Sequence, residues 1–68
     1  MRQLTKRQMA EQVTATCYRK KERMTRKEAI DKFYEGMQCC DPGSSECERY
    51  TTIYFQLMEG FRQVSDEY

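Results

Sequence analysis

The sequence predicts an all-α fold, a compact three-helix bundle with helices over about 6–21, 26–36 and 46–60 and the third at its centre. Two observations carry that expectation. Thr5-Lys6-Arg7-Gln8, Thr25-Arg26-Lys27-Glu28 and Ser45-Glu46-Cys47-Glu48 each read S/T-x-x-E/Q. In such a capping box the hydroxyl takes the amide three residues on, and the Glu or Gln side chain reaches back to the cap. The second observation is the most apolar stretch of a polar chain, Cys47 to Phe61. Wound as a helix, it gathers Cys47, Tyr50, Ile53, Tyr54, Leu57, Met58 and Phe61 on an arc roughly 140° wide, broad enough to bury against two neighbours. No segment is read as a strand.

The first predicted helix opens at Thr5, with Leu4 and Met9 forming a hydrophobic staple across the cap. Its apolar stripe is narrow: Met9, Ala10, Val13 and Cys17, continued by the stem of Lys20, with Tyr18 off the line. Arg19, Lys20, Lys21 and Arg23 crowd its end, where cations complement the helix dipole. The second helix is cleanly amphipathic, with Ala29, Ile30, Phe33, Tyr34 and Met37 on one face and Lys27, Glu28, Asp31, Lys32 and Glu35 on the other. It ends at Gly36 as a left-handed cap or runs on to Cys40, before Asp41-Pro42-Gly43-Ser44 breaks the chain. Gly60 stops the third helix; residues 1–4 and 64–68 are expected to fray. The first two helices are expected to lie antiparallel against the third.

The chain has 68 residues, enough for a single domain, 1–68. A chain of this size buries only about 60% of its unfolded surface and needs a staple or a partner to be robust. With two Leu and two Ile against five Met and five Tyr, the core is expected to be soft, which makes a homodimer a natural expectation. The net charge of +1 conceals a split: residues 1–27 hold nine Lys/Arg against two Glu, and residues 28–68 hold three Lys/Arg against nine Asp/Glu. A nucleic-acid-facing end would produce that asymmetry, and so would a basic helix laid on acidic ones. The N-terminus lacks an apolar signal core and no run reaches the ~20 residues of a membrane span, so the chain is read as cytoplasmic with no membrane partner. Cys17, Cys39, Cys40 and Cys47 are then reduced thiols.

Little here supports chemistry. There is no His and no Gly-rich phosphate loop, and the carboxylates lie on polar faces with nothing apolar to raise a pKa. The adjacent Cys39 and Cys40 do not match the C-x₂₋₄-C spacing of a zinc knuckle, so the cysteines read as small buried hydrophobes. The chain is expected to be no enzyme, with no metal, no cofactor and no small-molecule substrate.

Binding is the remaining class. Phe55 falls among polar residues on the wheel of the third helix, bordered by Met58 and Arg62, and Tyr18 is a second off-stripe aromatic. Such residues mark a contact surface, so Phe55, Met58, Tyr18 and Arg62 are the candidates for an interface with another protein or a second copy. The alternative is nucleic acid, held by Arg19, Lys20, Lys21, Arg23, Arg26 and Lys27. Against that alternative, cations spread around a helix form no stripe that tracks a phosphate backbone.

Met24-Thr25-Arg26-Lys27-Glu28-Ala29-Ile30, Glu35-Gly36-Met37 and Glu48-Arg49-Tyr50, running on through Ile53, Leu57 and Glu59-Gly60, resemble small helical proteins carried on mobile elements of Gram-positive gut bacteria. The resemblance covers roughly residues 24–60. It implies a compact helical protein in a setting of regulators, accessory factors and inhibitors, with no assigned activity and no site residues.

Overall fold

The computed structural model describes residues 4–66. It is a mixed α/β fold and not an all-α bundle. The chain runs α1 (Lys6–Met9), β1 (Gln12–Cys17), β2 (Lys20–Thr25), α2 (Arg26–Cys39), α3 (Ser45–Glu59) and β3 (Gln63–Ser65). The strands form one sheet in the order β2-β1-β3. The first two pair antiparallel, and β3 lies parallel to β1.

The expected first helix is therefore the main correction. Its Thr5 capping box is present, but it serves a helix of only four residues. Residues 12–25 form a β-hairpin instead. Gln12-Val13-Thr14-Ala15-Thr16-Cys17 alternates polar and apolar, with Val13 and Ala15 buried and Thr14 and Thr16 at the alternate positions, and β-branched residues favour the pleated conformation. Those six residues also fit a narrow helical stripe, and the short period is the one that wins. Tyr18 and Arg19 make the two-residue turn with φ of 52° and 66°, the doubly left-handed geometry that matches strand twist.

Both long helices sit close to expectation. Thr25 caps α2, accepting from the Glu28 amide at 3.2 Å. The cap of α3 is Ser44, one residue before the expected Ser45, accepting from the Cys47 amide at 3.1 Å. Gly60, at φ 98°, ends α3 as expected. Gly36 does not end α2, which continues to Cys39. Its missing side chain makes room for a ring: a Cβ there would stand 2.8 Å from Cδ2 of Tyr50.

The core lies between the helix pair and one face of the sheet. Val13, Ala15 and Val64 come from the strands, Ala29, Ile30 and Phe33 from α2, and Ile53 and Leu57 from α3. Val64 is buried inside β3, so residues 64–66 are ordered parts of the fold and not a frayed end; Leu4 packs against the core as well. Residues 1–3 and 67–68, also expected to fray, lie outside the described residues.

Arg26 ties the layers together. Its backbone amide donates to Glu11 O at 2.8 Å. Its guanidinium, 1% exposed, donates through Nη1 to Leu57 O and Phe61 O, both at 2.9 Å, and through Nη2 to Gly60 O at 3.1 Å. Nε reaches Gln8 O at 3.1 Å, and Glu11 supplies the counter-charge at 3.3 Å. One side chain thus gathers three carbonyls at and just past the end of α3, and a planar fork of donors suits that task better than an ammonium.

Candidate interaction surfaces

The expected interface residues do not form one patch. Phe55 is 60% exposed on α3 and edge-packs on Tyr54, with ring centroids 6.0 Å apart. Tyr54 in turn meets Tyr34 of α2 at 5.8 Å, and Tyr34 is half exposed, so three rings run in contact across the two helices. Met58 packs inward against the core cluster. Arg62 is engaged with Glu11 at 3.3 Å. Tyr18 is exposed, but it stands at the hairpin turn under the Arg49 guanidinium at 4.9 Å, apart from the ring cluster.

A groove of about 600 Å³ runs along α3, lined by Phe55 itself with Gly43, Ser44, Cys47, Glu48, Thr51, Thr52 and Gln56. Cys47, Thr51 and Thr52 give it a shallow floor, and Glu48 and Gln56 make it partly polar. Sequence reasoning found the knob, Phe55, but missed Tyr34 and Tyr54 as its neighbours. It had assigned both to core stripes.

The expected nucleic-acid residues also divide. Arg26 is buried and fully engaged with backbone carbonyls, so it is no ligand contact. Arg19, Lys20, Lys21, Arg23 and Lys27 are exposed. Because Lys20–Thr25 is a strand, its cations are sorted by alternation and not scattered around a cylinder. Lys20 and Glu22 flank the helix side, where Glu22 accepts from Lys32 Nζ at 2.6 Å. That contact holds the Glu22 carboxyl below its ordinary pKa. Lys21 and Arg23 stand opposite Thr16 and Thr14 on the other face.

A buried polar cluster, unforeseen in the sequence, fastens the hairpin to the chain's last strand. Asp66 Oδ2 accepts from the Tyr18 amide at 2.9 Å and from Arg49 Nη1 at 2.8 Å. The Tyr18 amide, and then Arg49, hold the Asp66 carboxyl below its usual range against the opposing effect of burial. Burial first, and the adjacent Asp66 carboxylate second, push the Cys17 thiol up. Asp66 Oδ1 accepts no hydrogen bond. Nothing in the local sequence marks Asp66 for this role, since its partners lie 17 and 48 positions away.

Among the described residues, no group of three or more His, Cys, Asp or Glu is placed to hold a metal ion. The four cysteines are free thiols. No helix among the described residues is long and apolar enough to cross a membrane. Comparison of the chain with protein-family models, with curated proteins and with solved structures found no match.

Proposed function

We propose that this protein is a non-enzymatic interaction module whose contact surface is the α3 face centred on Phe55, and whose partner is a second copy of the same chain. The observation that carries the reading is a knob beside a hole. Among the described residues Phe55 is the most exposed large hydrophobic, and it lines a groove whose floor includes the small side chains of Ser44, Cys47, Thr51 and Thr52, with Glu48 and Gln56 beside them. Phe55 and Cys47 are eight residues apart, about 12 Å along the helix axis. A two-fold axis passing near Thr51 would lay each Phe55 over the other copy's Cys47, so the surface is self-complementary in the way an isologous dimer requires. Tyr34 and Tyr54 extend the apolar area beyond what one ring supplies, and buried aromatics dominate such interfaces. A core this small also stands to gain from a partner. The work is done in the cytoplasm, which keeps free thiols reduced, and calls for no cofactor and no small-molecule substrate.

The test is molar mass in solution under reducing conditions, with wild type beside Phe55→Ser. A concentration-dependent dimer is expected for wild type, and a folded monomer for the variant, because the exposed ring supports no intramolecular core. Monomers in both samples at about 100 μM, weaker than the affinity a standard-size interface normally delivers, would end the dimer reading.

A further inference from the structure

We infer that the open face of the β1–β2 hairpin is a docking surface for the phosphate backbone of duplex DNA. This surface is separate from the α3 face and does not depend on it. One face of the sheet is covered by the helices. The other carries Gln12, Thr14 and Thr16 from β1, Lys21 and Arg23 from β2, and Gln63 from β3. By register no carboxylate stands on that face. Glu22, the only acid in the hairpin strands, points to the helix side and is occupied by Lys32.

The chain's cations separate in the same way. Arg26, Lys32, Arg49 and Arg62 are in ion pairs within the fold. Among the described residues, neither Lys21 nor Arg23 is in one, and the same holds for Arg19 and Lys20 at the hairpin tip and Lys27 just past the other end of β2. Unpaired cations lined up along an edge strand also guard against sheet-to-sheet aggregation. That role alone would be served by charge on either face. It does not call for a face free of acid with threonines and a glutamine between the cations.

Shape selects the duplex. The hairpin is part of a three-stranded sheet whose outer axes stand about 10 Å apart, so it offers a duplex backbone a broad face with β2 at its free edge. Lys21 and Arg23 project about 7 Å apart along the strand, a spacing suited to contacts with successive phosphates. The outer edge of β2 adds backbone amides, which are common phosphate donors. Single strands are bound by stacking on aromatic side chains. The open-face positions of the three strands have none: Tyr34, Tyr50, Tyr54 and Phe55 are all on the helices, the Tyr18 ring is engaged with Arg49, and the exposed Phe61 lies outside the strands, two residues before β3.

The test is binding of a fluorescent duplex of about 20 base pairs to the full chain across salt concentrations. With four phosphates neutralised by Arg19, Lys21, Arg23 and Lys27, Lys20 being on the helix side, affinity should fall on the order of 100-fold between about 50 and about 200 mM salt, a log–log slope of about −3.6. Lys21→Gln with Arg23→Gln should weaken binding and reduce the slope to about −1.8. Phe55→Ser should leave the slope unchanged, so failure here and failure of the dimer are read separately. If the double variant melts early, Arg23→Gln alone carries the test, with a slope change of about 0.9. No saturable binding at low salt would overturn the inference. So would a slope indifferent to these substitutions, or equal binding to a single-stranded oligonucleotide or to polyglutamate.

Discussion

At the scale of single residues, the fold depends on two polar side chains that hold distant backbone in place. Arg26 closes the end of α3, and Asp66 holds the hairpin turn. The turn needs holding because Tyr18 and Arg19 both adopt left-handed backbone without being glycine. Such conformations cost on the order of 1 kcal/mol each and persist only when the surroundings impose them. Asp66 imposes this one by accepting the Tyr18 amide while paired with Arg49, whose guanidinium covers the Tyr18 ring. The linkage has a definite sign. A carboxyl whose folded pKa is depressed contributes stability that is fully present above its unfolded pKa and is lost as pH falls through the folded value. Stability should therefore hold from neutrality down to about pH 4 and decline below it. Asp66→Asn should cost about 1–3 kcal/mol at pH 7 and flatten that acid limb. Urea denaturation of both proteins across pH 2.5 to 7 checks it. Equal acid limbs would show that other carboxyls carry the pH dependence.

At the scale of elements, what was legible in the sequence is the part written locally. The N-caps of α2 and α3, the stop at Gly60 and the centres of the two core faces (Ala29, Ile30 and Phe33; Ile53 and Leu57) are local chemistry and stand within a residue or so of expectation, whereas Tyr34 and Phe61, expected on those faces, are exposed. The hairpin was missed because Val13 and Cys17 sit at both helical and strand spacing, and Tyr18-Arg19 lacks the Asn-Gly or Asp-Gly signature of a primed turn. The alternation of Val13, Ala15 and Cys17 with two threonines was the available signal. Gly36 shows the same limit: a glycine near a helix end reads as a cap, whereas its reason is a ring on another element. In an ordinary helix interior, Gly→Ala stabilises by about 1 kcal/mol. Here the added methyl meets the Tyr50 ring, which cannot swing aside freely because it packs on Phe33 at 5.8 Å and its hydroxyl donates to Glu46 at 3.0 Å. Gly36→Ala should therefore destabilise, by about 1–2 kcal/mol, the usual range for overpacking. A thermal melt decides the sign, and a raised midpoint would mean that the ring yields.

At the scale of the whole molecule, the residues the sequence marked as an end hold the two layers together. β3 is three residues long, yet it gives the sheet its third strand and the core Val64. The Thr14 amide donates to Arg62 O at 2.8 Å, and the Asp66 amide donates to Thr16 O at 3.1 Å. Gln56 of α3 grips Ser65 at both its carbonyl and its amide, at 2.9 and 3.1 Å. Removing residues 63–68 would uncover the backbone edge of β1, strip the Tyr18 amide and Arg49 of their shared acceptor, and empty the Val64 site. Burial of that one valine is worth about 1.5–3 kcal/mol. The buried hydrogen bonds add on the order of 1 kcal/mol each. A chain of this length has roughly 3–10 kcal/mol of stability in all. The losses are therefore comparable to the whole, and a chain ending at Arg62 should show no cooperative thermal transition by circular dichroism. Val64→Ala, which leaves the polar links intact, should still melt cooperatively, about 10 °C or more below the parent. A truncated chain melting within a few degrees of the parent would mean that α2, α3 and the hairpin form a self-sufficient unit. The hairpin would then stand without its third strand. The present geometry predicts instead that hairpin and tail order together, so any surface the hairpin presents exists only when β3 is in place.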